Sequence, residues 1–169
     1  MYYGTKRKVF ISYHHRGDQG WFDRFTQLFA DQYEIFHDNS LDGRIRSDDP
    51  EYINRAIRED HIVGSSITIT LCGAESWKRK YVDWEIHSTL HHEHALMGIA
   101  LPTAVRGSGG GIIVPDRLHD NIQSGFAHWL PTWPNDPTAL RTAIETAINL
   151  GQDTSKIRNE RPKMERNLA

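Results

Sequence analysis

The sequence predicts an α/β fold, a parallel β-sheet with helices on both faces, and two observations predict it. Short β-branched runs alternate with amphipathic helical stretches, and strands separated by helices imply βαβ crossovers, hence parallel pairing. The 169 residues, 38% of them hydrophobic, suit one domain with a single sizeable core.

Each element has a local reason. Val9–Tyr13 is a short apolar run ended by the polar turn His14–Asp18 and reads as the first strand. Asp18 is placed to cap a helix whose Trp21, Phe22, Phe25, Leu28 and Phe29 form a stripe of helical period. Tyr33–His37 is the second strand, followed by a polar loop from Asp38 to Asp49. Asp49 and Pro50 open a helix with Ile53, Ala56 and Ile57 inward. Ile67–Leu71 is the third strand, closed by Gly73, and a long helix is expected from roughly Glu75 to His94. Met97–Leu101 is the fourth strand, stopped by Pro102. Residues 103–135 read as irregular, with a short fifth strand near Phe126–Leu130. The last helix starts at Asp136-Pro137, carries Leu140, Ala143, Ile144, Ala147 and Ile148, and stops at Gly151 as helices ending in a C-terminal glycine do. The expected organisation is one α/β domain over residues 1–150 and, over 151–169, a charged tail or terminal helix.

Composition narrows the function classes. Net charge is −2 and the sequence pI is about 6.5, so the basic excess of a nucleic-acid binder is missing. Lys6-Arg7-Lys8 is followed by only three apolar residues, which is no signal peptide, and no apolar run approaches the ~20 residues of a bilayer span. The expectation is a soluble cytoplasmic protein without membrane or nucleic-acid partners. Cys72 is the one cysteine and reads as a buried strand end rather than a nucleophile.

An open parallel sheet binds ligands at the carboxyl ends of its strands, where strand order reverses. That rule selects Ser12, Tyr13 and His14 after the first strand, and Asp38 and Asn39 after the second. The most informative residue is Glu85, three after Val82 and four after Tyr81 on one helix face. A carboxylate on an inward face costs free energy unless it is paired or used. The residues alone leave both readings open: a salt bridge to Lys78, Arg79 or another loop cation, or chemistry.

Taken as a set, these segments resemble TIR domains. Phe10-Ile11-Ser12-Tyr13 followed by Asp18 is similar to the first TIR box. Ile35–Asp38, the polar loop and Ile53–Ile57 resemble the second strand, BB loop and second helix. Ser65–Leu71, Ser76 and Tyr81–Ile86 resemble the third strand and the helix bearing the family's catalytic glutamate. The resemblance covers about residues 8–102, and Val114–Asn121 is similar to the subgroup that includes the NAD⁺-processing protein of Thoeris antiphage systems. It implies a flavodoxin-like, TIR-type fold and an NAD⁺ glycohydrolase or cyclase with Glu85 as the catalytic residue. NAD⁺ would be the substrate and no further cofactor is implied; a separate effector protein would receive the nucleotide signal, and the chain could form a homo-oligomer. Tyr13, Trp77 or Tyr81 would wall the nicotinamide or adenine ring, with Ser12, His14, Asp38, Asn39 and Ser76 nearby, and Arg44 and Arg46 would face the pyrophosphate. Two departures stand out. Tyr81 holds the position four before the glutamate where most TIR domains have tryptophan, with Trp77 a turn earlier, which keeps an aromatic wall. The loop from Asn39 to Asp48 lacks the proline of animal adaptor loops, which weakens the alternative reading, a non-catalytic TIR-type assembly module.

The remaining signals carry less. His87, His91 and His94 share a helix face, but no carboxylate or cysteine joins them at metal-ligand spacing, so a solvated face and no metal are expected. Gly107–Gly111 lacks the Lys-Ser/Thr ending of a phosphate loop. A receiver domain needs acidic residues where Ser12, Tyr13 and His14 stand.

Overall fold

The computed structural model describes residues 6–37 and 60–169. Its elements run β1 (Arg7–Ser12), α1 (His15–Phe29), β2 (Tyr33–His37), β3 (Ile67–Cys72), a 3-10 turn (Ser76–Lys78), α2 (Lys80–His91), β4 (Ala95–Ala100), α3 (Asp116–Ser124), β5 (His128–Leu130), α4 (Pro137–Leu150) and a second 3-10 turn (Thr154–Lys156). The five strands are all parallel, in the order β2-β1-β3-β4-β5, with β1 an inner strand as expected. The helix expected to open at Asp49 and Pro50 lies outside the described residues.

Strand alternation divides the core into two layers. Val9 and Ile11, Ile67, Ile69 and Leu71, and Met97 and Ile99 face Phe22, Phe25 and Phe29 of α1 and Leu140, Ile144 and Ala147 of α4. On the other side Cys72 and Leu96 face Val82, Ile86 and Leu90 of α2 and Leu118 of α3. Each of these large apolar side chains contributes about 1.5–3 kcal/mol on burial. The layering is the flavodoxin-like arrangement that the βαβ pattern implies.

Several local expectations are corrected. Helix α1 begins at His15 with His14 at its cap, so Asp18 lies inside the first turn, where its N–H donates to the His14 carbonyl. The long helix divides: Ser76–Lys78 forms a 3-10 turn, extended Arg79 caps α2, and α2 ends at His91. Glu93 then takes a left-handed φ of 58°, turning the chain so that β4 starts at Ala95, two residues earlier than expected. The region read as irregular contains α3. Asp136 does cap α4, its side chain accepting from the Ala139 N–H at 3.0 Å. Gly151, however, is right-handed (φ −67°). A Cβ there would lie 3.0 Å from the Ala95 Cβ, tighter than ordinary van der Waals contact.

The C-terminal segment is neither a terminal helix nor a detached tail. It is a strap laid across α2 and α3, held by Arg117, Asn121, Asp83, Trp84 and Lys80. Among the described residues, no helix is long and apolar enough to cross a membrane.

Candidate functional site

Strand order reverses between β1 and β3, so the crevice expected of an open sheet lies beyond Ser12 and Cys72. Glu85 can be placed relative to that edge from contacts below it. The Thr89 hydroxyl lies 2.7 Å from that of Thr68 on β3 and donates to the Glu85 carbonyl. Because α2 connects two parallel strands, it runs against them. Glu85 therefore lies one turn, about 6 Å, nearer the carboxyl edge than Thr89, level with Thr70, two residues beyond Thr68. Thr70 is register-paired with Ser12, and side chains at paired positions share a sheet face. Ser12, Thr70 and Glu85 thus stand on one side of the sheet. Glu85 is 2% exposed.

Lys78 and Arg79 approach Glu75 at 3.6 and 3.7 Å. Ser76 is buried, its hydroxyl donating weakly to the Gly73 carbonyl at 3.4 Å, and Trp77 donates from Nε1 to the Ala74 carbonyl. His14, at the cap of α1, has its pKa lowered by burial, with Arg79 adding to the effect and Glu75 opposing it. The 3-10 turn and the end of β1 therefore adjoin one another.

One expected site residue stands elsewhere. Tyr13, one residue past Ser12, points to the opposite face: it stacks on Phe22 and His15, donates from its hydroxyl to Gln19 and belongs to the α1-side core. The period-2 alternation of the strand removes it from the side where Glu85 stands. Tyr81 sits edge-to-face with Trp84 at 5.5 Å, the Lys80 ammonium over both rings. Asp38, Asn39, Arg44 and Arg46 lie outside the described residues. Of the histidines, His87 stacks on His91 at 6.4 Å and is pushed down to about 4 by burial, Lys163 and Arg117 adding.

Sequence reasoning missed two acidic groups. The first is Asp83, whose carboxylate is gripped by the fully buried Arg117 at 2.9 and 3.2 Å and also accepts from the Met164 N–H. Arg117 spends its other donors on Asn159 Oδ1 and the carbonyls of Arg161 and Pro162. This joint locks α2, and with it the backbone that carries Glu85, to α3 and the strap. The second is Asp18, 4% exposed, with its pKa raised to about 6 by burial. A Cβ at position 73 would lie 2.5 Å from both Asp18 oxygens, so Gly73 makes room for the carboxylate. A polar residue on the apolar face of a predicted helix was the available signal for both.

Residues 10–106 match the family model described as the TIR-like domain of the Thoeris protein ThsB. The match includes the end of β1, Asp18, Ser76 and Glu85, and ends before α3 and the strap. No curated protein sequence matches the chain.

Proposed function

Given that the chain belongs to the TIR-like domain family of the Thoeris protein ThsB, a family of antiphage defence, we propose that it cleaves NAD⁺ at the bond between nicotinamide and ribose, with Glu85 as the catalytic residue. The observation that carries this reading is a carboxylate 2% exposed, level with Ser12 and Thr70 at the switch point of the sheet.

The chemistry needs only one carboxylate. Glycosidases acting on neutral leaving groups use an acid to protonate the departing oxygen and a second carboxylate opposite it. In NAD⁺ the leaving ring is already a pyridinium cation. When the C1′–N1 bond breaks, the electron pair goes to the ring nitrogen and nicotinamide departs neutral. Positive charge then develops on the ribose, and the Glu85 carboxylate stabilises that oxocarbenium-like centre while orienting the ribose hydroxyls. Water completes a hydrolysis; a nucleophile of the same molecule completes a cyclisation. The ADP-ribose-derived product acts as a signal for a separate effector protein.

Glu85→Gln tests the assignment, because amide and carboxylate are nearly isosteric. Nicotinamide release, measured on protein activated by phage components, should fall ~10²–10³-fold, roughly 3–4 kcal/mol, with the fold retained. Wild-type-like release by the folded variant would end the catalytic assignment.

A further inference from the structure

Three side-chain oxygens at the switch point have no hydrogen-bond partner among the described residues: Ser12 Oγ, Thr70 Oγ1 and Asp18 Oδ2. Ser12 and Thr70 are 0% exposed and Asp18 is 4% exposed. Ser12 and Thr70 are register neighbours on the face that α2 covers. Asp18 reaches over the end of β3 against Gly73, and its charge helps push up the pKa of Cys72, two residues beyond Thr70, after burial itself. Buried polar groups in folded proteins are nearly always paired, and an orphan calls for an explanation of its own. Ser12 and Thr70 adjoin on neighbouring strands and Asp18 stands over the end of β3, at the edge where open sheets bind ligands, and one ligand that pairs them would explain all three.

We propose that Ser12, Thr70 and Asp18 form the polar floor of the site and bind an uncharged, hydrogen-bond-donating group of the substrate, the carboxamide of nicotinamide. The proposal rests on the NAD⁺ reading above and specifies which part of the substrate this floor takes. A carboxylate oxygen accepts and cannot donate when ionised, while each hydroxyl donates or accepts. A carboxamide offers two N–H donors and one acceptor, which matches that set. A ribose diol offers donors of the same kind, and the experiment separates the two. An anionic group in its place would be repelled by Asp18.

The test is equilibrium binding by Glu85→Gln protein, with and without Asp18→Asn, to NAD⁺ and to nicotinic acid adenine dinucleotide, whose ring carries a carboxylate instead of the carboxamide. With Asp18 present, NAD⁺ should bind about tenfold or more tightly than the acid form, and Asp18→Asn should cut the preference to about threefold or less. The same substitution should raise the melting temperature, since it removes a buried charge. Equal weakening of both dinucleotides, with the preference retained, would give the floor to the diol they share. Binding and preference untouched by Asp18→Asn would overturn the floor alone; no binding of NAD⁺ by the Asp18 protein would overturn the NAD⁺ reading with it. Thr70→Val, read by the same affinities, answers the question if Asp18→Asn does not fold, with unchanged affinities overturning the floor.

Discussion

Asp83 and Asp18 are both 4% exposed, yet their surroundings are opposites. Asp83 accepts two bonds from Arg117 and one from the Met164 N–H, and Arg117 places all five of its donors. Asp18 keeps one oxygen without a partner among the described residues, and burial raises its pKa to about 6. A carboxylate that serves the fold is satisfied by the fold. One that the fold buries and leaves open imposes a cost that structure alone does not repay, which is the mark of a group kept for a ligand.

The contrast makes graded predictions. The largest effect should come from Arg117→Met, which strands Asp83 as an uncompensated buried charge and releases the strap. Denaturant unfolding should show a loss of about 3–5 kcal/mol, and a loss under 1 kcal/mol would show the joint to be dispensable. Gly73→Ala should follow, at about 1–3 kcal/mol, because its Cβ would overlap the Asp18 carboxylate. Gly73→Ala combined with Asp18→Ala should recover most of that loss, and purely additive losses would place the clash elsewhere.

The pH dependence of stability is the next smaller effect. The folded pKa of Asp18, about 6, exceeds the ordinary 3.8, so the folded state binds the proton more tightly. The contribution of Asp18 is therefore fully present below pH 3.8 and lost as pH rises through about 6. Subtracting melting curves of Asp18→Asn from wild type should reveal that slope, on the order of 1–2 kcal/mol across the window; a flat difference would mean that the carboxyl is solvated. Smallest of all should be Arg161→Gln. Arg161 is exposed where it pairs with Asp116 and Asp120, and its loss should cost at most about 1 kcal/mol in the same assay.

The sheet was legible because its signals are local. Apolar runs such as Val9–Ile11 and Ile67–Leu71 and the Phe22, Phe25, Phe29 stripe declare their elements within a few residues. Helix α3 was not, because its buried face carries Arg117 and Asn121 beside Leu118. Those polar residues are admissible inside only because residues some 40 positions away satisfy them. Glu85 was legible as an inward carboxylate, and its burial bears that geometry out. Tyr13 was misplaced because neighbouring strand residues face opposite ways, and adjacency in sequence suggested a shared cleft. Asp18 was read as a cap because aspartate commonly opens helices, whereas α1 had begun a turn earlier.

The strap also sets an order of events. Met164 closes onto Asp83 and Trp84 across 81 and 80 positions, and Asn167 onto Lys80 across 87. During synthesis every strand and helix leaves the ribosome before these partners do. Until they arrive Asp83 lacks its backbone donor and Arg117 lacks the carbonyls of Arg161 and Pro162. The nascent sheet can pair early and α2 can bury Val82, Ile86 and Leu90 against it, but the bonds that fasten α2 to the strap can form only last. If the strap also docks after the transition state when the full-length chain refolds, weakening it should hasten unfolding and leave refolding rates nearly unchanged. Stopped-flow kinetics of Trp84→Phe, which removes the Nε1–H bond to the Met164 carbonyl, would show it; slowed refolding would mean that the strap docks early.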